Sequence, residues 1–193
     1  MSNNSTGRVF LSGFVLAAVL FLVGVGKLAA DRLKAPDFTL EDLDGEDFSL
    51  RESLEKGPVV ISFWATWCKP CLRELPHLQE IYNMYRDRGF SMLAISVDSP
   101  RSLSKVKSFI KGHNYTFTVL LDPNKDVSRK FNAHLFPYTF VLNTEGEIVY
   151  KSYGYRPGDE KKVEKQLLDL LDGRDSAGEQ SSGEKSQEGA ESD

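Results

Sequence analysis

Residues 58 to 65 read Pro-Val-Val-Ile-Ser-Phe-Trp-Ala, an almost unbroken apolar, β-branched run entered through Gly57. A strand of this composition has no face suited to water. It needs cover on both sides, which a sheet flanked by helices supplies. The sequence that follows offers those helices. Between residues 69 and 88, Leu72, Leu75, Leu78, Ile81, Tyr82 and Tyr85 recur at helical spacing, and Gly89 provides a stop. A second buried strand is predicted at 90–98. Pro100 then opens a helix reaching about Lys111, with Leu103, Val106, Phe109 and Ile110 as its apolar stripe. A third strand at 116–122, a short helix at 125–133, a hairpin turning at Glu145-Gly146 and a last helix from Asp159 to Leu171 complete the pattern. Ahead of it all, residues 36 to 50 alternate apolar and polar around Asp44-Gly45, the signature of a short hairpin. Strands alternating with helices and closing in an antiparallel hairpin predict an α/β sandwich around a mixed sheet.

The two ends differ from this body. Residues 172 to 193 carry seven acids against two bases, a net −5, so the rest of the chain holds +1 of the total −4. No basic face argues for nucleic acid. The tail has no aromatic residue and no aliphatic larger than alanine, a composition expected to stay disordered and solvated. At the other end, Val9 to Gly26 is an 18-residue stretch without charge between Arg8 and Lys27. At about 1.5 Å per residue it reaches about 27 Å, enough to cross the hydrocarbon layer. Residues 1 to 34 are therefore read as an export signal or membrane anchor, with 9 to 26 in the membrane. Leu28 fits the small-residue cleavage pattern poorly, which favours the anchor. The flanking bases Lys27, Arg32 and Lys34 outnumber Arg8 and by themselves oppose an N-inside insertion.

Cys68 and Cys71, the only two cysteines, sit between the first predicted strand and the long helix. A structural zinc site needs four ligands, and His77, His113 and His134 do not supply a second pair at ligand spacing. A structural staple over so short a loop stabilises little. A redox couple has a positive mechanism. A sulfur at a helix N-terminus faces unpaired N–H groups and the positive end of the dipole, and in Cys-X-X-Cys pairs the thiol pKa falls from about 8.5 to between about 3.5 and 7.5. Cys68 is then the nucleophile and Cys71, one turn further in, the resolving thiol. Lys69 adds positive charge beside Cys68, and Pro70 occupies a first-turn position where its missing N–H costs little.

The run Phe63-Trp64-Ala65-Thr66-Trp67-Cys68-Lys69-Pro70-Cys71 resembles the active site of the thioredoxin superfamily, and Pro76 falls where that superfamily kinks its active-site helix. The preceding hairpin and the long segment between residues 98 and 138 resemble the TlpA/ResA-like subfamily. The resemblance covers residues 35 to 171. It implies a thioredoxin-like three-layer α/β sandwich with a mixed central sheet, an N-terminal β-hairpin and a central αβ insertion. It also implies an extracytoplasmic thiol-disulfide oxidoreductase, held by an N-terminal helix, of a kind that often reduces protein disulfides, notably in apocytochrome c. On this reading the chain carries no bound cofactor or metal, only a redox-active Cys68–Cys71 disulfide. Its partners are protein thiols or disulfides and an upstream membrane thiol-disulfide electron donor.

Further positions carry over from the resemblance. Pro137 matches the superfamily's cis-proline opposite the cysteines, and Trp67, Lys69, Pro70 and Phe136 surround the implied substrate-binding surface. Glu74 matches an acidic residue kept beside the ResA-type active site. Ser62 stands where cytosolic relatives carry a buried Asp, and it cannot act as the proton acceptor, which leaves Glu74. The competing reading makes Glu74 a solvated helix residue flanked by Arg73. Leu135 and Tyr138 depart from the subfamily's Gly-x-Pro-Thr-Thr-Phe and are expected to reshape the substrate groove. His134 is read as a surface or packing residue. The same two cysteines also serve a thiol oxidant or isomerase running in reverse. A peroxiredoxin-like peroxidase needs a PxxxTxxC arrangement that Ser62 to Cys68 lacks, and thioredoxin-fold copper carriers use a wider Cys pair.

Overall fold

The computed structural model describes residues 32–173; the apolar segment 9–26 and nearly all of the acidic tail lie outside them. Among the described residues no helix is long and apolar enough to cross a membrane. The first elements form the expected hairpin, β1 (Thr39–Glu41) antiparallel to β2 (Asp47–Ser49), with the Asp42 carboxylate accepting the N–H groups of Asp44 and Glu46 across the turn. A five-residue helix, α1 (Leu50–Leu54), follows directly. Periodicity did not announce it, because a single turn is too short to show a period.

The predicted central strand is β3 (Val59–Trp64), and all six of its residues are buried. It pairs in parallel with β4 (Ser91–Ser96), which pairs in parallel with β5 (Thr118–Leu121). On its other side β3 pairs antiparallel with β6 (Tyr138–Leu142), and β6 with the edge strand β7 (Ile148–Tyr153). The sheet order β5-β4-β3-β6-β7 is mixed, as the closing hairpin requires. The helices are α2 (Lys69–Tyr85), α3 (Leu103–Gly112), α4 (Asp126–Lys130) and α5 (Asp159–Leu171). The unit α3-β5 is the central αβ insertion and extends the sheet beyond β4.

Alternation along β3 shows which layer each helix occupies, since adjacent residues of a strand point to opposite faces. Phe63 packs against Phe131, just after α4, and against Phe140, while Phe38 closes the same cluster. Trp64, on the opposite face, lies against Phe109 of α3, with ring centroids 5.5 Å apart. Ser62 shares the Trp64 face and meets α2. The two parallel crossovers, β3-α2-β4 and β4-α3-β5, run in the same direction along the sheet, so the right-handed rule places both helices on that face. Helix α5 packs beside α2. Each buried aromatic or aliphatic side chain contributes on the order of 1.5–3 kcal/mol, and β3 alone buries five of them.

Two details depart from the simple helical stripe. The buried side of α2 is formed by Cys71, Glu74, Leu75, Leu78, Gln79 and Ile81, whereas Leu72, Tyr82 and Tyr85 are only partly covered. The stripe turns towards two polar residues because each has built-in partners. Gln79 exchanges hydrogen bonds with the hydroxyl and the N–H of Thr116. The second detail is a backbone contact: a Cβ on Gly57 would lie 1.7 Å from the carbonyl oxygen of Gly89, at a positive φ of 150°. The segments entering β3 and β4 therefore approach as only glycine permits.

Candidate active site

Helix α2 begins at Cys68, which serves as its N-cap: the Cys68 Sγ accepts the N–H of Cys71 at 3.3 Å. The cap residue is held from behind by its own N–H, which donates to the Ala65 carbonyl at 3.1 Å. Cys68 and Cys71 are joined in a disulfide. Cys68 keeps 4% of its surface accessible and Cys71 none, so an incoming sulfur reaches Cys68 alone. The N–H groups of the first helical turn favour a thiolate at this place once the disulfide is opened. Lys69 is exposed beside it and Pro70 is half-buried in the first turn.

The Phe136–Pro137 peptide bond is cis, as the resemblance implied. Pro137 is buried immediately before β6, and the pairing of Tyr138 with Phe63 sets it against the end of β3, where the cysteine loop begins. Trp67 is 58% exposed, and its ring meets Phe136 edge-on at 6.1 Å. Leu135, 61% exposed, adds to this apolar surface. Tyr138, the other departure from the subfamily pattern, instead stacks on Phe140 at 4.7 Å and lies near Tyr153. Of the two substitutions, Leu135 is the one that adds exposed apolar area next to Phe136. His134 is exposed.

Glu74 is 4% exposed rather than solvated. It lies one turn after Cys71 on the buried side of α2, and both carboxylate oxygens are hydrogen-bonded. Ser62 Oγ donates to Oε2 at 2.9 Å and Thr139 Oγ1 donates to Oε1 at 2.8 Å. The carboxyl is raised from its ordinary 4.5 to about 7: burial pushes it up most, the hydroxyl hydrogen bonds from Thr139 and Ser62 pull it back, and the charges of Asp159 and Glu160 add to the rise. A carboxyl with such a value changes charge near neutral pH, the range in which thiols also exchange protons.

A second buried carboxylate serves the cysteine loop from the other side. Asp98, just past β4, accepts the Thr66 N–H at 2.8 Å, the Thr66 hydroxyl at 2.7 Å and the Ser96 hydroxyl at 3.0 Å. Thr66 lies two residues before Cys68, so Asp98 fixes the turn from which the nucleophile projects. Sequence reasoning missed Asp98 and Thr139. The available signal was polarity out of place: an Asp closing a buried strand, and a Thr inside Tyr-Thr-Phe-Val-Leu. A cleft of about 480 Å³ between the first hairpin and α3 is lined by Leu40, Asp98, Leu103, Val106 and Leu121 among others, and neither cysteine lines it. Among the described residues no group of three or more His, Cys, Asp or Glu is arranged to hold a metal ion.

The matching family model is AhpC/TSA, over residues 32–151, more than half of the chain. The thiol-disulfide oxidoreductase ResA of Geobacillus kaustophilus is 38% identical over 114 residues, which are 59% of this chain and 64% of that protein. The match thus spans less than two thirds of that relative. The ResA of Halalkalibacterium halodurans is 32% identical over 138 residues, covering 72% of this chain and 75% of that one. Among solved structures, the thioredoxin domain of a thiol-disulfide oxidoreductase from Bacteroides vulgatus superposes with a TM-score of 0.61 at 30% identity, over 72% of this chain and 98% of that one. A thioredoxin-family thiol:disulfide interchange protein from Chlorobium tepidum gives 0.62 at 26% identity, over 74% and 98%. With its mixed sheet, its helix-capping cysteine pair and its cis-proline, the chain belongs to the AhpC/TSA family, among the ResA-like thiol-disulfide oxidoreductases of thioredoxin fold.

Proposed function

We propose that the chain is a thiol-disulfide oxidoreductase that reduces protein disulfides on the outer side of the cytoplasmic membrane, where residues 9–26 anchor it. The observation that carries this reading is the disulfide-linked pair at the N-terminus of α2, with Cys68 the more accessible of the two and cis-Pro137 set against the end of β3, where the cysteine loop begins. In the reduced protein the Cys68 thiolate attacks one sulfur of a substrate disulfide. The Cys68–substrate S–S bond forms, the substrate S–S bond breaks, and the first substrate thiolate leaves. Cys71 then gives its proton to the Glu74 carboxylate, and the Cys71 thiolate attacks Cys68 Sγ. The Cys68–Cys71 bond forms and the second substrate thiolate leaves. Two electrons have passed from the dithiol to the substrate. A further turnover requires an upstream dithiol to reduce the Cys68–Cys71 bond, a role that fits a membrane thiol-disulfide donor. Trp67, Lys69, Pro70, Phe136 and Pro137 form the surface on which the substrate polypeptide lies. Apocytochrome c is the substrate suggested by the ResA resemblance, and that resemblance also supports the reducing direction.

The test is direct. Cys68→Ala is expected to abolish reduction of insulin disulfides, and Cys71→Ala to stop after one step with substrate held on Cys68. Unchanged turnover in the Cys68 variant sinks the reading. A reduction potential near or below about −250 mV supports the reducing direction, whereas one near about −120 mV makes the protein an oxidant.

A further inference from the structure

Among the described residues no backbone N–H donates to the Glu74 carboxylate; its partners are two hydroxyls that the sheet places side by side. Ser62 and Thr139 are direct cross-strand partners in the β3–β6 register, and both are buried on the face covered by α2. Their oxygens are 3.5 Å apart, so Ser62, Glu74 and Thr139 make a closed triangle with edges of 2.9, 2.8 and 3.5 Å.

We propose that this triangle is a proton-accepting ring, in which Ser62 and Thr139 turn to suit either charge state of Glu74 and so set its readiness to take and release a proton. The inference rests on the reading of Glu74 as proton acceptor for Cys71. It is an inventory of donors and acceptors. In the carboxylate form both hydroxyl hydrogens point at Glu74, one to each oxygen. When Oε2 gains a proton it becomes a donor, and Ser62 Oγ accepts from it. The Ser62 hydrogen swings to Thr139 Oγ1, and Thr139 continues to donate to Oε1. Three O–H groups then meet three acceptors, and no polar hydrogen loses its partner. A fixed N–H cannot make this exchange, because it only donates. The 3.5 Å edge is the one that tightens when the ring closes.

The other titratable groups around Glu74 do not offer this accommodation. From the start of α5, Asp159 and Glu160 press their negative charge on it, and Tyr155, which precedes that helix, interacts electrostatically with it. From α2 itself come Cys71 and, one turn on, His77, whose ring stacks on Tyr155. Strands β3 and β6 contribute only the uncharged Ser62 and Thr139, and these are the groups that favour the ionised carboxyl.

The experiment follows the Glu74 carboxyl by pH-difference infrared spectroscopy of the full chain, oxidised at Cys68–Cys71, with Glu74→Gln identifying the band. Ser62→Ala and Thr139→Val are each expected to raise the protonation midpoint by about one pH unit, a tenfold change, since the hydrogen bond each deletes is charge-assisted, and so stronger, in the carboxylate form than in the protonated ring. Thr139→Ser, which keeps the hydroxyl, is expected to stay near the wild-type midpoint. An unmoved midpoint in Ser62→Ala overturns the proposal, and this smaller change keeps the test open if Thr139→Val fails to fold. The second readout is the pH profile of the Cys71 step, release of a preformed Cys68 mixed disulfide. A profile that moves with the carboxyl supports both readings. A carboxyl that moves under a fixed profile upholds the ring and overturns Glu74 as the proton acceptor of Cys71.

Discussion

Two buried carboxylates flank the cysteine pair, and they are built on different principles. Asp98 is gripped by the Thr66 backbone N–H, a donor fixed in direction, together with the hydroxyls of Thr66 and Ser96. Among the described residues Glu74 is met only by the hydroxyls of Ser62 and Thr139. A site with a fixed donor stores geometry, because the donor cannot turn to suit another protonation state. A site of rotatable donors tolerates a change of charge. The fold has placed the first kind where the nucleophile's turn must stay put and the second kind beside the thiol that must lose a proton.

The harshest way to break this comparison is to remove the fixed one. Asp98→Ala leaves the Thr66 N–H, the Thr66 hydroxyl and the Ser96 hydroxyl buried without their acceptor. Each orphaned group costs about 1–3 kcal/mol, with partial relaxation making the total less than additive. A loss of about 4 kcal/mol in urea unfolding is expected, together with slower attack by Cys68 at every pH. A variant that unfolds like wild type shows that the clamp is dispensable and removes the contrast.

Glu74→Gln should act in the opposite sense on stability. In the native protein the carboxyl keeps its proton to about pH 7, against 4.5 for the ordinary value. Between those limits the native state holds more protons than the unfolded chain, so stability from this group falls as pH rises. The rise from 4.5 to about 7 corresponds to a loss of about 3 kcal/mol, absent below pH 4.5 and complete above about pH 7. Wild-type protein, oxidised, is therefore expected to lose this stability between about pH 4.5 and pH 7, and Glu74→Gln to lose much less. Equal slopes in the two proteins would show that Glu74 ionises without cost. In the reduced protein the same variant should slow release of the mixed disulfide while leaving attack by Cys68 in place.

What was legible in the sequence, and what was not, follows the same division. The strands, the long helices and the cysteine pair are written locally: an apolar run, a stripe, a Cys-X-X-Cys at a strand-to-helix junction. The cis bond at Pro137 was available only through resemblance, since composition favours trans. The Glu74 triangle is a long-range object. Thr139 is 65 residues from Glu74 and is brought to it by the β3–β6 register, which no local pattern specifies. Ser62 accepts no proton itself; its part is to orient the group that does. Residues of the wrong polarity for their place, a Ser in β3, a Thr in β6 and a Glu in the stripe of α2, were the legible trace of that site.

The finest test applies one chemical change to both carboxylates. Ser96→Ala deletes a hydroxyl that donates to Asp98 at 3.0 Å and accepts the Asp98 N–H at 3.2 Å, while the Thr66 N–H stays in place. The expected cost is about 2 kcal/mol in urea unfolding, for the two hydrogen bonds the hydroxyl makes. The pH profile of the Cys71 step should be unchanged, because Ser96 does not touch Glu74. Ser62→Ala removes a hydroxyl of the same kind from the other carboxylate and is expected to move that profile. If the two serine variants shift it equally, the profile reports general loosening around the cysteines, and the distinction between fixed and rotatable donors has no functional content. If only Ser62→Ala shifts it, the proton chemistry belongs to the hydroxyl-bound carboxylate and the geometry to the amide-bound one.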